Sequence, residues 1–93
     1  MRDLNRRPLM ASELQTYDAV VLDPPRSGAK IQVEEIAKTA IPTVVYVSCN
    51  PASFARDARI LIDGGFQLRS VTPVDQFLFS SHLELVGIFR STA

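Results

Sequence analysis

The chain is short of several features that would point elsewhere. Its 93 residues contain one cysteine, Cys49, which excludes an internal disulfide and a multi-cysteine metal site. Ten Lys and Arg balance ten Asp and Glu, so no global charge announces nucleic acid, a membrane surface or an acidic substrate. No apolar run approaches the roughly 20 residues of a membrane span. The opening MRDLNRRPLM is charged and lacks the apolar stretch of a secretory signal. There is no internal repeat and no low-complexity tract. The expectation is a cytoplasmic protein with no membrane partner.

What is present is ordinary globular composition, 46% hydrophobic and 22% charged, in one small domain. A chain of this length buries roughly 60–65% of its unfolded surface, enough for a marginal core. Residues 1–16 are mixed, broken by Pro8, and are expected to form a lead-in with at most a short helical turn. The run AVVL, residues 19–22, is apolar and stops at Asp23-Pro24-Pro25. That pattern predicts a strand buried on both faces. Ile31, Val33, Ile36, Ala37 and Ala40 follow at near-helical spacing, and Pro42 ends the segment.

TVVYVS is the second buried strand. After it, Asn50 or Ser48 can cap a helix that has Pro51 in its first turn. That helix is expected through ASFARDARILID, with Phe54, Ala58, Leu61 and Ile62 on one side and Gly64-Gly65 as its stop. FQLRSVTPVDQF carries Phe66, Leu68 and Val71 in a half-buried strand pattern, and HLELVGIFR is the last strand. The alternation of strands and helices argues for an α/β domain with a parallel sheet. With no helix between them, the final two strands are expected to pair antiparallel. Two helices do not cover both faces of a four-stranded sheet.

In open parallel sheets ligands bind beyond the carboxyl ends of the strands. Asp23 and Cys49 fall at such ends, and Glu84 opens a strand running the other way, so all three converge on one rim. Cys49 is open to two readings: a small structural hydrophobe, or a nucleophile at a helix N-terminus, where the dipole favours a thiolate. Asp23 is either a turn residue before proline or a carboxylate that two prolines hold toward a ligand. Asp-Pro-Pro at a strand end is typical of methyltransferases acting on bases. Glu84 shares a face with His82; it is a solvated strand residue, a partner for an arginine, or a carboxylate that His82 orients. Phe77 and Phe79 serve either the core or base stacking. Arg26, Arg56 and Arg59 are open to phosphate contact or to plain solvation.

Taken together, YDAVVLDPPRSGA, VVYVSCNPASFARD and VTPVDQFLFSSHLELV resemble the RNA 5-methyluridine (uracil-C5) methyltransferase family. The likeness covers most of the chain from Tyr17 to Phe89, in the family's order. It implies a Rossmann-like fold, S-adenosylmethionine as methyl donor and tRNA or rRNA as substrate. Cys49 would be the nucleophile, Glu84 the general base and Asp23 a cofactor-side or site carboxylate. Pro24, Arg26, Phe77 and His82 would then lie against the substrate.

The chain departs from that family in one large respect. It has four glycines, no Gly-x-Gly, no cysteine cluster for the iron–sulfur site of some members and no separate RNA-binding module. It therefore resembles the C-terminal half of the catalytic domain over residues 17–93, without the cofactor-binding half. The expectations are a chain inactive by itself, with a free sheet edge that invites self-association. Two other readings stay open: a base methyltransferase acting on adenine or guanine through Asp-Pro-Pro, and a noncatalytic interaction domain.

Overall fold

A computed structural model describes residues 17–74 and 84–92. The expected lead-in, Phe77, Phe79 and His82 lie outside the described residues. The elements are β1 (Ala19–Leu22), α1 (Lys30–Ile36), β2 (Thr43–Ser48), α2 (Pro51–Asp63), β3 (Phe66–Val74) and β4 (Glu84–Ser91). The sheet order is β1-β2-β4-β3. β1 and β2 pair in parallel, and β4 is antiparallel to both β2 and β3. The final two strands do pair antiparallel, with β4 inserted between β3 and the parallel pair.

Strand alternation builds the core on one side of this sheet. Val20, Leu22, Val44, Tyr46 and Phe89 all point to the same face and are buried there against Val33, Ile36, Phe54 and Leu61 of the helices. Phe54 lies edge-on to Tyr46, with ring centroids 5.3 Å apart. It fits because Gly87, opposite Tyr46 in the ladder, has no side chain: a Cβ there would come within 2.7 Å of the Phe54 ring. The other face has no helix among the described residues. Val21 is 66% exposed there, in line with the half-buried Val45, Val47, Val86 and Ile88.

Several expected details differ. α1 ends at Ile36 rather than reaching Ala40, because the Thr39 hydroxyl donates to the Ile36 carbonyl at 2.7 Å and tightens the turn. Ile31 lies on its exposed side. α2 has the expected bounds, with Asn50 as its cap, accepting from the Ala52 amide at 3.0 Å. Ile62, however, is exposed, and Asp57 takes its place on the buried face. β3 is not half-buried along its length: Phe66 is buried and Val74 partly so, while Leu68 and Val71 are exposed. It is an edge strand with a register shift between Leu68 and Ser70. That edge position also accommodates Pro73, which cannot donate to a ladder on both sides.

Candidate active site

The rim is set by where three strands stop and start. Asp23 directly follows β1, Cys49 directly follows β2, and Glu84 is the first residue of β4. The last rung between β2 and β4 pairs Ser48 with Leu85. One position beyond that rung lie Cys49, where the chain bends out of β2, and Glu84, the first residue of β4, at the same end of the ladder. Asp23 directly follows the Leu22–Tyr46 pair that ends the β1–β2 ladder. The sheet thus brings all three expected residues to one edge. Cys49 is a free, half-buried thiol, Glu84 is half-buried, and Asp23 is exposed.

Pro24 and Arg26 extend from the same edge, Pro24 half-buried and Arg26 exposed. Their loop turns back through a hydrogen bond from the Gly28 amide to the Pro25 carbonyl at 2.8 Å. The loop is held from below by α2. Asn50 Nδ2 and the Ser53 hydroxyl both donate to the Arg26 carbonyl, at 2.9 and 2.8 Å. Arg56 Nη2 donates to the Ser27 carbonyl at 2.9 Å, and the Ala29 amide donates to Asp57 Oδ2 at 2.8 Å.

Asp57 is completely buried and its carboxylate is saturated. Oδ2 also accepts the Tyr46 hydroxyl, while Oδ1 accepts from Arg56 Nε at 3.0 Å and pairs with Nη2 at 2.9 Å. Burial, and after it the bond to Asp57, raises the Tyr46 pKa above its ordinary value. Arg56 therefore spends its guanidinium within the protein, and Arg59 is paired with Asp63 at 3.1 Å. Of the three arginines considered for phosphate contact, Arg26 is the one on the loop that leaves the rim, and it is exposed.

Sequence reasoning passed over Asn50, Ser53 and Asp57 as holders of this loop. The signal was present: they recur at i, i+3 and i+7, one face of a helix, and Asp57 falls in the same stripe as Phe54, Ala58 and Leu61. A cavity of about 560 Å³, lined in part by Tyr17, Asp18, Lys38 and Pro42, opens at the opposite end of β1 and β2, away from the rim. Among the described residues no cluster of His, Cys, Asp and Glu is arranged to hold a metal ion. No helix among them is long and apolar enough to cross a membrane.

The described residues form a mixed α/β sheet with Cys49 and two carboxylates at one rim, and solved methyltransferases share this fold. The chain is 36% identical to the Pyrococcus abyssi tRNA (uracil-54, C5)-methyltransferase, solved with S-adenosyl-L-homocysteine. It superposes with a TM-score of 0.66 over 77% of its own length and 18% of that protein. A complex of M1.HpyAVI with SAM, 16% identical, shares the fold at a TM-score of 0.60 over 90% of the chain and 51% of that protein.

The chain belongs to the tRNA (uracil-5-)-methyltransferase family, whose pattern it matches over residues 1–92. It is 60% identical over 87 residues to an RNA methyltransferase of Mesorhizobium japonicum, covering 94% of this chain and 21% of that protein. It is 40% identical to the 23S rRNA (uracil(1939)-C(5))-methyltransferase RlmD of Alteromonas mediterranea, covering 91% of this chain and 18% of that protein. The chain thus spans about a fifth of the length of these relatives.

Asp23 offers an exposed carboxylate at the strand end, able to accept hydrogen bonds from a ligand. The sequence has no Gly-x-Gly, and Asp-Pro-Pro follows β1.

Proposed function

We propose that residues 17–93 carry the nucleophile-and-base half of the catalytic domain of an RNA uracil-C5 methyltransferase, and that the rest of the cofactor site belongs to a region outside these residues. The observation that carries this reading is the register: Cys49 and Glu84 each lie one residue beyond the Ser48–Leu85 rung, at the same end of the β2–β4 ladder. Membership of the family and the RNA substrates named for its relatives support tRNA or rRNA as partner. By this reading the isolated chain does not turn over.

Uracil C5 is too weak a carbon nucleophile to be methylated directly. The Cys49 thiolate adds to C6, forming an S–C6 bond, and the C5=C6 electron pair moves to C5 and O4 as an enolate. S-adenosylmethionine, when bound, would supply an electrophilic methyl group for that carbon, its sulfonium C–S bond breaking to leave S-adenosylhomocysteine. Glu84 then removes the C5 proton; C5=C6 re-forms, the S–C6 bond breaks and the thiolate leaves. A hydroxyl at position 49 is both a poorer nucleophile and a poorer leaving group. The target base must leave its stack to meet the rim, with Pro24 and Arg26 beside it. Phe77 and His82 remain part of the proposed substrate surface.

The test joins this chain to the amino-terminal region of its Mesorhizobium relative and measures methyl incorporation at uridine C5. The proposal requires incorporation that Cys49→Ala abolishes. Methylation that survives Cys49→Ala points instead to a base methyltransferase working through Asp-Pro-Pro, and no methylation of any base favours an interaction domain.

A further inference from the structure

The mechanism leaves unused a buried carboxylate with four donors around it. Asp57 joins three pieces of the molecule that are remote in sequence. Its Oδ2 accepts from Tyr46, three residues before Cys49 on the same strand, and from the Ala29 amide in the loop that follows Asp23. Its Oδ1 holds Arg56, which in turn holds the Ser27 carbonyl. We propose that Asp57, backed by Arg56, is a positioning residue for methyl transfer: it sets the Asp23–Ala29 loop relative to the strand that carries Cys49. This rests on the function proposed above.

Core packing alone does not account for the choice of residue. Asp57 is 0% exposed in the stripe that holds Phe54, Ala58 and Leu61. An apolar side chain of similar size would fill that place without the desolvation cost of a buried ion. What a hydrophobe cannot do is fix a loop amide and a strand hydroxyl to one point. Gly28 shows how close the fit is. Its φ of +84° suits glycine, and a Cβ there would lie 2.6 Å from Arg56 Nη2 and 2.7 Å from Asp57 Oδ2. The loop is pressed onto the pair with no room for a methyl group. Misplacing a site loop by an ångström can cost about 100-fold in rate without touching the reacting atoms.

The experiment uses the same joined enzyme with S-adenosylmethionine and RNA carrying 5-fluorouridine, and follows the covalent adduct in time. The amplitude counts competent sites and the rate constant reports their geometry. Asp57→Asn should keep most of the parent amplitude while the rate constant falls at least tenfold. An unchanged rate constant with reduced amplitude makes Asp57 merely structural and overturns the inference. Should Asp57→Asn leave no competent sites, Arg56→Lys decides. It keeps the buried carboxylate and a positive charge but loses the two-point grip, so its rate constant should fall several-fold; a rate within twofold of parent overturns the inference. A parent enzyme that forms no adduct fails the proposed function itself, a distinguishable result that removes this inference with it.

Discussion

Tyr46 donates its hydroxyl to Asp57 where β2 meets α2, and both side chains are fully buried. The contact fixes the helix to the strand and leaves no buried side-chain polar atom unpaired among the described residues. It also makes the fold sensitive to alkali. Burial and the bond to Asp57 raise the Tyr46 pKa above its ordinary value of 10.0. The folded chain therefore keeps a proton that the unfolded chain releases above about pH 10. Stability from this group is present in full below that pH and is lost as pH rises further.

Urea denaturation at pH 8 and pH 10.5 checks this. The parent chain should lose more stability between the two than Tyr46→Phe does. At pH 8 the variant should be less stable by about 1.5–3 kcal/mol, the usual worth of a hydrogen bond to a charged group. Equal pH slopes for the two proteins would contradict the assignment.

Gly87→Ala should destabilise the chain by about 1–3 kcal/mol, the range for overpacking a filled core, because the added methyl meets the Phe54 ring at 2.7 Å. Pairing it with Phe54→Leu should recover part of the loss. Thermal denaturation reads both.

The rim was legible before the fold because it depends on strand ends, and those are marked by local chemistry. Pro24 and Pro25 stop β1, while Asn50-Pro51 turns β2 into α2, so Asp23 and Cys49 could be placed from their neighbours alone. The insertion of β4 between β2 and β3 was not legible: strand order is decided by long-range pairing, and nothing local to Glu84–Ser91 names its partners. The exposure of Leu68 and Val71 was missed for the same reason, since alternation indicates a face but not whether anything covers it. The grip on the loop was hidden because its acceptors are mainly backbone carbonyls of Arg26 and Ser27, atoms that every residue has.

Glu84→Gln in the joined enzyme should stall the reaction after methyl transfer. With the C5 proton left in place the thiol cannot be eliminated, so RNA containing ordinary uridine should accumulate as a protein-bound adduct. Mass spectrometry would show the nucleotide together with its added methyl group. Turnover within twofold of parent would remove Glu84 from the base role.

The 93-residue chain alone should self-associate. Among the described residues β1 is an edge strand of the sheet, and its Val21 is 66% exposed on the face that no described helix covers. Such edges and apolar faces attract further strands. Light scattering should give dimers or larger species, and Val21→Lys should shift them toward monomer. A parent chain that is monomeric at all concentrations would contradict this.

The most direct test of the account is the identity of the residue that bonds to the base. The joined enzyme, incubated with S-adenosylmethionine and 5-fluorouridine RNA, should trap an adduct because fluorine at C5 cannot leave as a proton does. Cleavage after Lys38 and Arg56 isolates residues 39–56, which include Cys49 as their sole cysteine. The account predicts the nucleotide mass on Cys49 in that peptide, absent from Cys49→Ala. Methylated RNA without any such adduct would contradict it and return Cys49 to a structural role at the end of β2.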